Sequence, residues 1–239
     1  MKISHFGMTH AGCVREVNED ALLLMPEAKF FAVADGLGGL PDGDVASNMT
    51  LEFLENHYEA YIEGDQLRIK ELFEAANAYV HELGVDRHPG VGIGTTLTGV
   101  RLSDDGLLAG HVGDSSLYLL RDGKFHIVTE EHTMAAELGA SHDEKSNASI
   151  PEFYYHTLTR CIGAAADVDI SVEELKTQPG DRLLLSTDGL IKVASSELIA
   201  EAMAAAKKPK QLVEALIEFA LENACSDNIT IVALFLGKN

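Results

Sequence analysis

GHVGDSSLYLLRDGKFHIVT, residues 110–129, is the stretch that decides the fold. Around it, apolar and β-branched residues come in three short runs, Leu107–Val112, Ser116–Arg121 and Phe125–Thr129. The gaps between them hold Gly113-Asp114 and Asp122-Gly123. Gly-Asp and Asp-Gly suit tight hairpins, so the spacing predicts antiparallel pairing. Similar runs, bounded by Gly, Asp or Asn, lie on either side at Lys2–Thr9, Ala21–Met25, Phe30–Ala34, Thr95–Leu102, Leu183–Thr187 and Ile229–Leu236.

Helical periodicity fills the intervals. Between Asp42 and Val80, Leu51, Leu54 and Tyr58, then Leu72, Ala75, Ala76 and Tyr79, recur at the spacing of one helix face. Near the C-terminal end, Pro209 suits a first helical turn, and Leu212, Leu216, Phe219 and Ala220 form a stripe preceded by another at Leu198–Met203. Strands, two helices, strands, two helices and a last strand make an α+β pattern. The natural layering places helices over both faces of stacked antiparallel sheets. Residues 133–160 are polar and broken, and are expected to be a lid, a binding loop or a disordered insertion.

Composition narrows the function. The hydrophobic share of 46% fills a sizeable core within 239 residues. Cys13, Cys161 and Cys225 stand far apart, which argues against a disulfide framework and for a reducing compartment. The opening MKISHFGMTHAG lacks a leader's apolar core, and no apolar run reaches membrane-spanning length, so a soluble cytoplasmic protein is expected. A net charge of −20 disfavours nucleic acid and anionic membrane as partners.

Four aspartates stand at strand ends. Asp35 follows FFAVA and Asp188 follows LLLST, each immediately before glycine. Asp20 precedes ALLLM, and Asp227 precedes NITIVALFL. In antiparallel neighbours the end of one strand lies beside the start of the next, so all four can meet at one sheet edge. A single Asp-Gly is a common turn, but four carboxylates with no lysine adjoining any of them suit a hard cation such as Mg²⁺ or Mn²⁺. Arg15, five residues before Asp20, has the planar fork that suits two phosphate oxygens; its alternative is a surface pair with Glu16 or Glu19.

Other motifs carry less. GVGIGTT (90–96) lacks a GK[ST] and leads into a strand, where a phosphate cradle needs a helix N-terminus. His111, His126 and His132 are dispersed, the serines of GDSS have no nucleophile-elbow context, and Cys161 lacks the C-x₅-R loop of thiol phosphatases.

Taken in order, RxxNxD (Arg15, Asn18, Asp20), ADGLGG (34–39), GTT (94–96), GHVGDSSLYLLRDG (110–123), TEEHT (129–133), LTRCIG (158–163), GDRLLLSTDGL (180–190) and SDNITIV (226–232) resemble the metal-dependent serine/threonine protein phosphatases of type 2C. Their order and spacing match the bacterial members across essentially the whole chain. The resemblance implies one phosphatase domain over residues 1–239, a four-layer α-β-β-α sandwich of two central antiparallel sheets flanked by antiparallel helix pairs, with 133–160 as a variable flap. It implies two Mn²⁺ or Mg²⁺ ions per subunit that activate a water or hydroxide.

By that resemblance Asp35 would bridge both ions, the Gly36 carbonyl would complete one, and Asp188 and Asp227 would bind the other. Asp20 would act mainly through water in the metal's shell, Arg15 would hold the phosphate, and Asn228 would position the Asp227 loop. GDSS and LTRCIG would be scaffold, a hairpin turn and a flap-closing strand. Three positions depart from the pattern: Leu37 replaces a histidine of many eukaryotic members, Ser116 replaces an arginine, and Glu131 replaces an aspartate expected at a weak third metal. Phosphorylated proteins as substrates, a serine/threonine kinase as opponent, a signalling role and a monomeric state follow as expectations. A catalytically weak signalling module that binds phosphoprotein or cation, and a two-metal phosphoesterase for small molecules or nucleic acid, remain as competing readings, the nucleic-acid one disfavoured by the −20 charge.

Overall fold

Strands covered on both faces read as unbroken apolar runs, and FFAVA (30–34) is such a run. The computed structural model describes residues 1–64, 66–103, 106–139 and 150–238. In chain order these form β1 (Lys2–His10), β2 (Asp20–Met25), β3 (Phe30–Asp35), α1 (Gly43–His57), β4 (Ile62–Glu63), β5 (Gln66–Leu67), α2 (Ile69–Arg87), β6 (Leu97–Leu102), β7 (Leu107–Val112), β8 (Ser116–Arg121), β9 (Lys124–Ile127), α3 (Met134–Glu137), β10 (Ser171–Leu175), β11 (Arg182–Ser186), α4 (Ser196–Ala205), α5 (Pro209–Glu222) and β12 (Ile229–Gly237). One five-stranded sheet has the order β1-β12-β11-β8-β9, the other β10-β7-β6-β3-β2, and every pairing within them is antiparallel.

Side-chain alternation assigns the layers. Phe30, Ala32 and Ala34 of β3 pack under Leu54, Leu72 and Phe73 of α1 and α2, whereas Phe31 and Val33 point to the opposite face. There they meet Leu117, Leu119, Leu183, Leu185 and Val232 of the other sheet. Tyr118, Leu120 and Leu184 turn outward beneath Ile199 and Met203 of α4 and Leu212 and Leu216 of α5. The result is the α-β-β-α sandwich, and each large side chain buried between its layers contributes about 2–3 kcal/mol.

Most sequence-derived strands stand within two residues of their structural ends. Pro209 opens α5 as the first-turn residue. Of the two expected hairpin turns one forms and one does not, and one expected strand is corrected. Asp122-Gly123 does close a hairpin, β8–β9, with φ of 51° and 76°. Gly113-Asp114 does not: β7 and β8 belong to different sheets, so this link crosses the sandwich. LTRCIG forms no strand; it makes isolated bridges, Leu158 to Thr133 and Ile162 to Thr95. Of the flap, 133–139 and 150–160 are described, holding α3 and a 3-10 turn at Glu152–His156, while 140–149 lie outside the described residues.

Candidate metal and phosphate site

The two Asp-Gly pairs owe their glycines to backbone crowding. A Cβ on Gly36 would stand 2.3 Å from the Gly43 carbonyl oxygen, and one on Gly189 only 2.0 Å from that of Asn228. Both aspartates are therefore set at points where two chain segments touch. Asp35, at the end of β3, lies directly opposite Asp20, at the start of β2. Asp188 follows β11 and Asp227 precedes β12, adjacent strands of the other sheet.

A few side chains join the sheets at this edge. Thr187 Oγ1 donates to Asp20 Oδ2 at 2.8 Å and accepts from the Thr230 amide at 2.9 Å. Asn228 ties the Arg15 loop to the Asp227 loop: its Oδ1 accepts from the Glu19 amide at 2.8 Å, and its Nδ2 donates to the carbonyls of Ala11 and Val17 at 3.0 Å. Gly12, with φ +77°, packs so closely that a Cβ would lie 2.1 Å from the Asp227 carbonyl oxygen.

The electrostatics record the crowding of acids. Burial, reinforced by Asp188 and Asp227, pushes Asp20 up to about 7 despite hydrogen bonds from Thr230 and Thr187. Burial, with the charges of Asp20, Asp188 and Asp114, holds Asp35 well above the usual carboxylate range. Asp227 goes the other way: burial raises it, but Lys192 and Arg15 outweigh burial and hold it low.

Lys192 and Asp114 are the residues that sequence reading missed. Lys192 Nζ stands 2.6 Å from Asp188 Oδ2 and 2.6 Å from Asp227 Oδ2. The absence of a lysine adjacent in sequence was thus no guide, because one turn brings residue 192 back over residue 188. Asp114 lies in the sheet-crossing link and is 7% exposed. Burial, then the charges of Asp188 and Glu131, push it well above its ordinary range, so Glu131, Asp114 and Asp188 share one acidic neighbourhood. No signal in the sequence marked Asp114, because Gly113-Asp114 reads as an ordinary turn. Arg15 pairs with Asp227 (Nε–Oδ1 3.0 Å, Nη2–Oδ2 3.2 Å), not with either glutamate that sequence alone suggested.

These carboxylates are not a ready-made cage: among the described residues no three His, Cys, Asp or Glu side chains already stand as a ligand group. Asp188 and Asp227 are turned onto Lys192. The residues nevertheless fit a hard divalent cation, because Asp20 Oδ1 is fully buried with no hydrogen-bond partner. An orphaned carboxylate oxygen among acids of raised pKa calls for positive charge, and an all-oxygen set selects Mg²⁺ or Mn²⁺ over softer metals.

A sandwich with an acidic edge of this kind defines a class of phosphate-cleaving enzymes, and comparison bears this out. Residues 11–227 match the family model for protein phosphatase 2C, and the chain belongs to that family. It is 29% identical over 240 residues to a putative protein phosphatase 2C-type of Streptococcus pyogenes, covering 97% of this chain and 96% of that one. The PPM Ser-Thr phosphatase MsPP of Mycobacterium smegmatis, solved with cacodylate, superposes with a TM-score of 0.86 at 36% identity over 98% of both chains. The catalytic domain of serine threonine protein phosphatase PstP, solved with two manganese ions, gives 0.82 at 30% identity over 99% of both.

Among the described residues no helix is long and apolar enough to cross a membrane.

Proposed function

We propose that this chain hydrolyses phosphoserine and phosphothreonine in proteins at two Mn²⁺ or Mg²⁺ ions per subunit, opposing a serine/threonine kinase in cytoplasmic signalling. The observation that carries the reading is that Asp20 and Asp35 of one sheet lie within the electrostatic reach of Asp188 of the other, with Asp227 also acting on Asp20, while Asp20 Oδ1 is buried without a hydrogen-bond partner. Asp35, Asp188, Asp227, Asp20 and the Gly36 carbonyl would hold the ions, with Asp114 and Glu131 beside Asp188 supplying any weaker third position. Bound there, divalent cations supply charge stabilisation and a nucleophilic water at neutral pH.

The chain's own groups do the rest. Arg15 is 45% exposed at its side chain, so it reaches solvent at the rim and can turn its fork from Asp227 to the phosphate of an incoming residue. Leu37 beside Asp35-Gly36 has no proton to give a departing alkoxide. No serine or cysteine nucleophile is called for, which agrees with the buried thiol of Cys225 and its burial-raised pKa. The reading takes the chain as one phosphatase domain acting as a monomer, and the continuous antiparallel sheets formed from both ends of the chain support a single domain.

The test is hydrolysis of a phosphothreonine peptide with Mn²⁺ and with EDTA. Activity should need the cation and vanish with the chelator. Full turnover by demetallated protein would refute the reading, and faster hydrolysis of nucleotides than of phosphopeptide would move the substrate class.

A further inference from the structure

Lys192 sits where a cation is wanted and is fastened there by the chain itself. Its amide donates to the Asp188 carbonyl at 3.2 Å, a single turn that folds residue 192 over residue 188. Its ammonium then spans the two carboxylates from different strand ends, Asp188 Oδ2 and Asp227 Oδ2, at 2.6 Å each. Arg15 already engages Asp227 from the solvent side, through Oδ1 and Oδ2. The Lys192 side chain is 28% exposed, so both its contacts are partly shielded from water and salt. Among the described residues no cation pairs with Asp20, whose Oδ1 has no hydrogen-bond partner.

We propose that Lys192 is a tethered competitor for one divalent cation: its ammonium occupies the oxygens of Asp188 and Asp227, so that the ion shared by these two residues binds more weakly than the ion held by Asp35 and Asp20. This rests on the metal-centre reading given above. One positive charge cannot share a carboxylate lone pair with another, so filling this position requires Lys192 to withdraw. The ammonium stays within reach because its backbone is only four residues from Asp188. The centre therefore fills in two stages, and the second stage sets the cation concentration at which the enzyme is complete.

Calorimetric titration of Mn²⁺ into the wild type, K192M and K192R tests this. Wild type should show a tight and a weak phase. K192M should tighten the weak phase at least about tenfold, because charge pairs this close couple strongly. K192R, which keeps the positive charge, should stay near wild type. An unchanged or weakened second phase in K192M would overturn the proposal while the tight phase left the metal centre standing. Absence of Mn²⁺ binding in wild type would sink the metal-centre reading and the proposal together. Should K192M fold poorly in EDTA, K192Q keeps a donor for the same oxygens, and its weak phase should shift in the same direction.

Discussion

Asp188 and Asp227 share the Lys192 ammonium while Asp20 Oδ1 lacks a partner, and substitutions should separate the roles of the site's residues. Asp35→Asn and Asp188→Asn remove charges on which a binuclear centre depends, and each should lower phosphopeptide turnover at least about 100-fold in a folded protein. Near-normal kcat in either would dismiss that residue as a ligand. Arg15→Ala should raise KM for phosphopeptide far more than it lowers kcat, since a guanidinium has no lone pair for a metal; equal changes in both would reduce Arg15 to a surface ion pair. His111 offers a test away from the site. Burial lowers its pKa from 6.5 to about 3, while Nδ1 meets Thr98 Oγ1 at 2.8 Å and Nε2 meets the Glu130 carbonyl at 3.0 Å. The fold keeps this ring neutral where the unfolded chain takes up a proton, so its stabilisation is complete above pH 6.5 and is lost as pH falls towards 3. The advantage of wild type over His111→Gln should therefore shrink by up to about 1.4 kcal/mol per pH unit in that window, measured by denaturation in EDTA. A constant difference would mean that the ring is protonated in the fold.

Elements were legible where burial on both faces leaves an uninterrupted apolar run, as in FFAVA of β3 and Leu183–Leu185 of β11. β10 (Ser171–Leu175) was not: SVEEL lies at a sheet edge with Val172, Glu173 and Glu174 exposed, so its composition is that of a loop. Gly113-Asp114 misled for a related reason, since the same dipeptide serves a hairpin and a link between sheets, and only tertiary packing decides. The four aspartates were readable from their places at strand ends. Lys192 and Asp114 were not, because their meaning lies in what folds back over them. At this scale the Asp-Gly corners are the sensitive joints. Gly189→Ala would thrust a methyl group into the Asn228 carbonyl and move the Asp188 and Asp227 loops apart. Overpacking of this kind costs about 1–3 kcal/mol, and activity should fall further than that loss explains. Wild-type kcat with unchanged Tm would show that the corner has slack.

The whole molecule carries a net charge of −20, and part of that acid is gathered at one edge of the sandwich. In EDTA, raising NaCl from about 0.02 to 0.5 M should therefore lift Tm by a few degrees, because salt screens like charges that the fold holds together. A falling Tm would indicate that the ion pairs of Lys192 and Arg15 outweigh the repulsion. The hydrogen bond from Thr187 to Asp20 joins a residue that follows β11 to the first residue of β2, in the other sheet. The carboxylates on either side of it therefore move with different sheets, and their separation gauges how far one sheet has slid over the other. A truncation deep in the interlayer, such as Leu185→Ala, would act as a misalignment of two halves of a lock, felt at the keyhole although nothing in the keyhole had changed.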